Sequence, residues 1–487
     1  MSEWHVRVIT GRYADSVRLM GLAKDIRGRE GVERSEIGMG TPANLEYLRD
    51  AGVEVDASPS DVVVAVRGEE DAAQESLSEA ERALAGGEPG GGSGEAEHAP
   101  RTLAAALSSA PTAGLAMVSV PGEYAALEAH RAISAGLHVF LFSDHVSTDD
   151  ERALKARAVE HGLLMMGPGA GTAMLGGVGL GFANKVRAGS IGVVAAAGTG
   201  AQEVACLIDA AGGGVSQIIG VGGRDLTPEI GGLMFRAAME LLDEDESTES
   251  MLLVSKPPDP EVVRALADPL PTSKPVIAAF VGAELDDAPF PVHSTLDAAA
   301  YAAAGVSPPE EADLHEVLDQ EARRVESAGR SVRALYSGGT LAYESLELLR
   351  GLVGPVAGNL SGEDEESSHE LLDLGEEEYT EGRPHPMVAL DDRAERITEA
   401  GEDAEVGCIL LDVVLGYGSH EDPSAELGPA IEGACQAGTV VVLHVCGTDE
   451  DPQDGSRQTG ELRRAGAIVA PTNAIAARLA GRAVATQ

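Results

Sequence analysis

The chain has 487 residues, enough for about three domains and a sizeable buried core. Eighty acidic against 35 basic side chains give a net charge of -45, which disfavours nucleic acid and anionic membranes as partners. Only 3% of the residues are aromatic, so we expect cores of Val, Leu, Ile and Ala. Such an acidic surface is typical of halophile-like proteins from a salty cytoplasm, so it says little about chemistry.

Cysteine usage and the first residues predict a cytoplasmic protein. The four cysteines form no close C-x-x-C pair, and the chain begins without the apolar core of a signal peptide. One uncharged stretch, 162–183, has the length of a membrane helix. Because it contains Pro168 and eight glycines, we expect a loop there instead.

The first half of the chain predicts two domains and a linker. Residues 1–85 alternate short apolar runs with amphipathic stretches, which indicates a small α/β domain. The glycine-rich segment 86–100 can bury little and is expected to be a flexible linker. Residues 101–188 show strands and helices in turn, which predicts a Rossmann-like domain with a parallel sheet. Ligands bind at the carboxyl ends of such strands, where the candidates are Pro121, Gly122, Asp144 and His145.

Two later segments, 189–310 and 333–487, begin alike and are joined by a connector at 311–332. In each, a strand runs into a Gly/Thr turn and a helix, and a carboxylate follows, Glu203 in one and Glu344 in the other. This internal similarity predicts two copies of one α/β module.

Each Gly/Thr turn is a candidate anion site. Glycine lets the backbone approach a ligand, while the free N–H groups and the dipole of the following helix favour negative charge. The alternative is that Thr199 and Thr340 only cap their own helices. The candidate anion-binding residues are Gly198, Thr199, Gly200, Gly338, Gly339 and Thr340.

Three weaker candidates lie in the last part of the chain. Prolines hold the segment around Arg383 and His385 extended, so it either presents both side chains to an anion or is a plain docking loop. Tyr417 and His420 follow a strand and therefore lie at a carboxyl end. His444 and Cys446 share one face of a strand, but two ligands are half a metal site, and a core histidine beside a buried cysteine is the commoner case. No tightly bound metal is predicted.

Several segments together resemble a known family. The turn at Ala197-Gly198-Thr199 with Glu203, and the run 220–223, resemble the α subunit of succinyl-CoA synthetase. Ser119-Val120-Pro121 and Met166-Gly167-Pro168 look like its CoA-binding Rossmann domain. Segments 410–418 and 465–472 look like the carboxyl-terminal ligase domain of the β subunit. The whole order, together with segments 15–20 and 39–45, resembles the FdrA family of acyl-CoA synthetase-like proteins.

The resemblance implies an α/β, multidomain fold. A Rossmann-like CoA-binding-type domain and two flavodoxin-like ligase modules would follow the small N-terminal domain. The two modules would pack face to face, so that both helix starts border one shared anion site with Glu203 and Glu344 as catalytic carboxylates. The synthetase holds a phosphohistidine there; in this chain His293 lies in the matching region, without the family's Gly-His-Ala-Gly context.

Three functions stay open. The first is a subunit of an oxamate carbamoyltransferase, the activity to which the family resemblance points. With companion subunits it would convert carbamoyl phosphate and oxamate to oxalurate and phosphate, and back. The second is an acyl-CoA ligase subunit that uses coenzyme A and needs a separate nucleotide-binding partner, because this chain shows neither an ATP-grasp segment nor a GxxxxGK[ST] loop. The third is a non-catalytic CoA-binding scaffold.

Overall fold

A computed structural model describes residues 4–12, 14, 16–29, 31–41, 44–45, 48–49, 52–85, 100, 102–283, 285, 288–307, 330–360, 367–380 and 384–485. Most of the expected linker (86–100) and of the expected connector (311–332) lies outside these residues, and so does Arg383. The chain forms two compact units: Met1–Ala99 with Glu376–His385, and Pro100–Gly375 with Pro386–Gln487.

The first unit is built on a three-stranded antiparallel sheet in the order β1-β3-β2. The central strand β3 carries an almost continuous run of buried valines because helices cover one face and a second apolar cluster, with Leu48 and Val53, covers the other. Its elements are β1 (Trp4–Ile9), α1 (Ser16–Arg27), β2 (Val32–Met39), β3 (Val62–Gly68) and α2 (Glu70–Ala85).

The second unit begins with a small parallel sheet in the order β4-β5-β6. Strands and helices alternate here as predicted, and Ser147 starts α5 by accepting a hydrogen bond from the amide of Asp150. The elements are α3 (Leu103–Ser109), β4 (Leu115–Val118), α4 (Gly122–Ser134), β5 (His138–Leu141), α5 (Thr148–Glu160) and β6 (Met165–Met166).

A seven-stranded sheet follows, in the order β13-β12-β11-β9-β10-β7-β8, and is called the large sheet below. Its centre is parallel, and the antiparallel hairpin β7–β8 closes one edge. This hairpin falls within the segment 101–188 that was expected to be Rossmann-like. The elements are β7 (Thr172–Leu175), β8 (Val178–Gly181), β9 (Ala188–Ala195), α6 (Gly198–Ala210), β10 (Val215–Gly220), α7 (Leu233–Glu244), β11 (Ser250–Ser255), α8 (Pro260–Leu266), β12 (Val276–Phe280), β13 (Val292–His293) and α9 (Leu296–Ala303).

The last sheet, called the C-terminal sheet, is parallel throughout and has the order β15-β14-β16-β17-β18. All nine residues of β16 are buried, as expected for a parallel strand covered on both faces. The elements are β14 (Ser331–Tyr336), α10 (Gly339–Val353), β15 (Glu370–Asp373), α11 (Glu377–Thr380, part of the first unit), α12 (Asp391–Glu402), β16 (Val406–Val414), α13 (Pro423–Ala437), β17 (Val440–Cys446), α14 (Gly455–Arg464), β18 (Ile468–Ala470) and α15 (Asn473–Ala485).

The large sheet and the C-terminal sheet share one apolar core. Val193 and Val204, from the layer of the large sheet and its helices, belong to the same buried cluster as Leu346 and Ile475, from the layer of the C-terminal sheet and its helices. The protein is therefore a mixed α/β, multidomain fold with parallel sheets, as expected. Within the described ranges, no helix combines the length and apolar character that crossing a membrane requires.

The small sheet is tied to the large sheet by a buried lysine. Lys155 on α5 is 0% exposed, and its ammonium donates to Glu151, to Asp225 and to the carbonyl of Val221 at 2.7–2.9 Å. Asp225 also accepts the amide of Phe235 at the start of α7. Each buried charge thus has partners, which is the condition for burying an ion pair without a large cost.

Replacing Lys155 with Met should lower the free energy of unfolding by about 3 kcal/mol, because two carboxylates would lose a buried counter-ion. Urea unfolding measures the loss. Arg131→Met is the control: its ion pair with Glu128 is exposed, and we expect less than about 1 kcal/mol. Equal losses in the two variants would contradict the assignment.

Candidate functional site

The starts of α6 and α10 meet directly. The hydroxyl of Thr199 on α6 accepts a hydrogen bond from the amide of Thr340 on α10, with 3.3 Å between the two atoms. The expectation that the two repeated turns face each other is therefore confirmed. The alternative that each threonine caps its own helix is wrong: the residues at the cap positions are Ala197 and Gly338, and neither makes a side-chain hydrogen bond to its own helix.

Glycine is required at this contact because the two backbones approach closely. A Cβ added at Gly200 would lie 2.8 Å from the Thr340 methyl group, and one at Gly338 would lie 2.9 Å from the Thr199 methyl group. A Cβ at Gly339 would lie 2.6 Å from a carboxylate oxygen of Asp373. The glycines thus bring two helix dipoles to one point, which favours negative charge there.

A buried carboxylate already holds part of the second turn. Asp412, at 0% exposure on β16, accepts the amides of Ser337 and Gly338 at 2.8 Å each. Arg393 of α12 donates to Asp412 at 2.9 Å and balances its charge. Any external anion at this turn would therefore have to use the amides from Gly339 onward.

Charged residues of both layers border Gly339. Lys256, which follows β11, has its ammonium nitrogen 3.4 Å from the position of an added Cβ at Gly339. Asp373 ends β15 and lies on the same side. These groups follow strand ends, where ligands of parallel sheets bind.

The two candidate catalytic glutamates are buried between the layers. Glu344 accepts the amide of Leu296 at 2.7 Å and the side-chain amide of Asn473 at 2.8 Å. Burial, reinforced by the nearby Asp297, raises the pKa of Glu344 to about 8. Glu203 accepts from the His444 ring at 2.8 Å. Both carboxyl groups connect helices of the two layers.

The histidine beside Glu203 is His444 and not His293. His293 ends the edge strand β13, in register with Ala279, and makes no hydrogen bond to Glu203 or Glu344 in the part of the chain that the structure describes. Both ring nitrogens of His444 have acceptors, Glu203 and the carbonyl of Ala470. Burial disfavours the charged ring, but the carboxylate outweighs it, so the pKa of His444 is raised.

The four CoA-type candidates converge at the carboxyl ends of β4 and β5. A Cβ added at Gly122 would lie 2.3 Å from the carbonyl oxygen of Asp144 and 2.7 Å from that of His145. Pro121 immediately precedes α4, and His145 adopts a left-handed backbone with φ of 59°. The four residues thus lie together at the strand ends, where the Asp144 carboxylate would repel phosphate groups.

The remaining described candidates, Tyr417, His420 and His385, belong to different units. Tyr417 is exposed and pairs through its backbone with Ala183 of the large-sheet layer. His420 follows in the same loop and donates its amide to Met387. His385 belongs to the first unit.

Sequence reasoning missed several residues that surround the helix starts. They are Asp412, Arg393, Lys256, Asp373 and Asn473, and His444 was assigned to the core. A signal for two of them was present: Asp412 and His444 are single polar residues inside otherwise apolar strands. Such a residue needs a buried partner, but the sequence alone does not identify that partner.

Comparisons with known proteins agree with the architecture. Residues 335–483 match the family described as CoA-ligase, and residues 1–100 match one described as AllF, heavy metal-associated domain. The chain is 38% identical over 495 residues to the uncharacterized protein YahF of Escherichia coli (strain K12), covering 95% of each chain.

Two further relatives are partial. The chain is 28% identical over 170 residues to the succinate–CoA ligase [ADP-forming] subunit alpha of Methanothermobacter thermautotrophicus, covering 34% of this chain and 57% of that protein. A structure of ATP citrate lyase from Methanothrix soehngenii in complex with citrate and coenzyme A superimposes with a TM-score of 0.34 and 17% identity, over 46% of this chain and 41% of that chain. This chain thus spans less than two thirds of either.

Residues 1–100 contain no cysteine that could bind a soft metal as a thiolate. All four cysteines lie at positions 206, 408, 435 and 446, outside residues 1–100. Soft metals select thiolate ligands, and the described residues contain no group of three His, Cys, Asp or Glu side chains that could hold a metal. The loop after β1 is instead held by Asp61, which accepts the amides of Gly11 and Ser58 at 2.8 Å each.

Adding Zn(II) or Cu(I) should therefore leave hydrogen exchange of residues 4–39 unchanged in the full-length protein. Asp61→Asn tests the sensitivity of the measurement: it removes a carboxylate that holds two amides and should speed exchange around Gly11 and Ser58. Protection of the β1–α1 loop on addition of either metal would show that this unit binds metal.

Proposed function

The chain belongs to the family of the Escherichia coli protein YahF, and from that premise we propose that it is a subunit of an acyl-CoA synthetase-like enzyme. We infer that it transfers an acyl or carbamoyl group through phosphate chemistry. The observation that carries the proposal is the contact of Thr199 with the amide of Thr340, which brings two helix amino ends to one point. Such a point favours a phosphate or carboxylate.

The electrostatics of the site fit a leaving phosphate. First-turn amides of a helix lack acceptors within the helix, which leaves those of Gly198–Gly200 and of Gly339 and Leu341 for an anion, while that of Thr340 is taken by Thr199. A phosphate gains negative charge as its bond to the transferred group breaks, and preorganised donors stabilise that charge without reorganisation. Lys256 adds a positive charge beside Gly339.

In this proposal Glu203 and Glu344 are positioning residues that set the geometry of the site. Their carboxyl oxygens accept hydrogen bonds from His444, Leu296 and Asn473. They therefore hold the two helix starts in place, and neither needs to attack the substrate. The strand ends at Pro121, Gly122, Asp144 and His145 would hold coenzyme A, whose thiol accepts acyl groups.

A finer candidate is the FdrA-type oxamate carbamoyltransferase, in which carbamoyl phosphate and oxamate exchange with oxalurate and phosphate. The observation that favours it is the placement of His293, which makes no hydrogen bond to Glu203 or Glu344 within the described ranges. Direct transfer of the carbamoyl group from phosphate to the amide nitrogen of oxamate requires no phosphohistidine. Tyr417 and His420 remain proposed substrate contacts.

Phosphate binding tests the site. Gly339→Asp should weaken binding of inorganic phosphate and carbamoyl phosphate at least tenfold in titration calorimetry, because it places a negative charge where the anion binds. Gly339→Ala separates shape from charge and should weaken binding less, since its methyl group only displaces Asp373. Gly351→Asp puts the same charge on the same helix in open space and should bind normally. Unchanged affinity in folded Gly339→Asp would remove the paired-helix site.

A second expectation concerns nucleotide. The protein alone should neither hydrolyse ATP nor acquire phosphate on His293, because the sequence contains no P-loop of the form GxxxxGK[ST]. Incubation with radiolabelled ATP, followed by analysis for acid-labile phosphate, measures this. A labelled His293 peptide would contradict it and favour a synthetase-like phosphohistidine.

A further inference from the structure

A buried ionisable cluster connects the two layers behind the helix starts. His444 of β17 donates to Glu203 of α6 across the layers, and the two side chains are 5% and 1% exposed. The other ring nitrogen faces the carbonyl of Ala470 on β18 at 3.1 Å. A carboxylate and a carbonyl oxygen can only accept hydrogen bonds. The ring therefore makes both bonds only as an imidazolium, with a proton on each nitrogen.

The same cluster contains two more carboxyl groups. Asn473 at the start of α15 donates its side-chain amide to Glu344 and its backbone amide to Glu203 at 3.4 Å. Asp297 of α9 accepts the hydroxyl of Thr472 at 3.0 Å. Two helices of the large-sheet layer, α6 and α9, thus meet two helices of the C-terminal-sheet layer, α10 and α15, around three carboxyl groups and one imidazole.

We propose that His444 is a positioning residue whose imidazolium, through Glu203, clasps the starts of α6 and α10 and releases them as the pH rises. With the ring charged, one cation faces Glu203. With the ring neutral, Glu203 loses this counter-ion while Glu344 and Asp297 lie in the same cluster, and buried like charges disfavour the closed arrangement. The proposal goes beyond the proposed function, because the clasp acts whether or not the site binds phosphate.

Among the described residues, the other groups around the cluster add no cation. The buried thiols of Cys446 and Cys206 are neutral donors, and Tyr336 donates to Asn473. Burial, with the nearby Asp297 and Glu203, raises the pKa of Tyr301. The guanidinium of Arg393 is paired with Asp412. The proton on His444 is thus the positive charge that faces these carboxylates.

The sign of the pH effect follows from both shifts. Burial raises the pKa of Glu344 from 4.5 to about 8, and the pKa of His444 is raised above 6.5. Opening the cluster releases a proton from Glu344 between pH 4.5 and 8, and one from His444 above pH 6.5. In each window the opening constant rises up to tenfold per pH unit for each proton, so stability is present at low pH and is lost as the pH rises.

Urea unfolding of the full-length protein from pH 5 to 9 tests the clasp. Glu344→Gln should reduce the slope of the logarithm of the unfolding constant against pH by up to one proton between pH 5 and 8. His444→Gln should reduce it by up to one proton above pH 6.5. The slope decides the test. The value of the unfolding constant at any one pH does not, because both substitutions also remove hydrogen bonds. His161→Gln, an exposed histidine after α5, should run parallel to the wild type. Curves of both cluster variants parallel to the wild type would overturn the proposal.

Direct titration of the ring keeps the test valid where a His444 variant does not fold. In protein labelled at the histidine rings, the His444 signal should titrate above pH 6.5 in the wild type and lower in Glu203→Gln, which lacks the carboxylate. Hydrogen exchange in 198–208 and 339–349 should quicken in step with that titration. If His444 titrates below 6.5 in the wild type, the proposal falls. If the titration holds but phosphate binds at no pH, the clasp stands and the proposed function falls.

Discussion

The close contact of two helix starts is the constraint on which the second unit depends. Thr199 and Thr340 can meet only because Gly200 and Gly338 have no side chains, since a Cβ at either glycine would enter the opposite threonine. Bringing two positive helix ends together is unfavourable unless negative charge lies between or behind them. Asp412 supplies part of that charge within the chain, because it accepts the amides of Ser337 and Gly338.

The interior of this protein has a different electrostatic character from its surface. The chain has a net charge of -45, whereas several buried carboxyl groups of the described residues are each paired with a specific donor. Lys155 pairs with Glu151 and Asp225, Arg393 pairs with Asp412, and His444 pairs with Glu203. Because breaking such a pair leaves an uncompensated buried charge, these contacts specify how the sheets pack.

The first unit offers no cysteine thiolate to a soft metal, although residues 1–100 match a family described as a heavy metal-associated domain. The antiparallel sheet and two helices are present, but the thiolates that soft metals need are absent from residues 1–100. Asp61 joins the loops that follow β1 and precede β3 by accepting one amide from each. Hydrogen bonds from backbone amides to a carboxylate lower the pKa of Asp61, so its contribution to stability is present at neutral pH and is lost in acid.

The sequence by itself determined the α/β class, the parallel sheets and the repeated Gly/Thr turns, whereas the meeting of the two helix starts was implied by the family resemblance. These features depend on local patterns, such as the apolar run of β16, and on similarity between segments of one chain. Only the tertiary structure decided which histidine stands beside Glu203, which hydroxyl serves which helix, and which carboxylate holds the turn before α10. Glu203 and His444 are 241 residues apart, and Ser337 and Asp412 are 75 apart. Partners at such separations are set by how whole layers pack, and no local propensity encodes them.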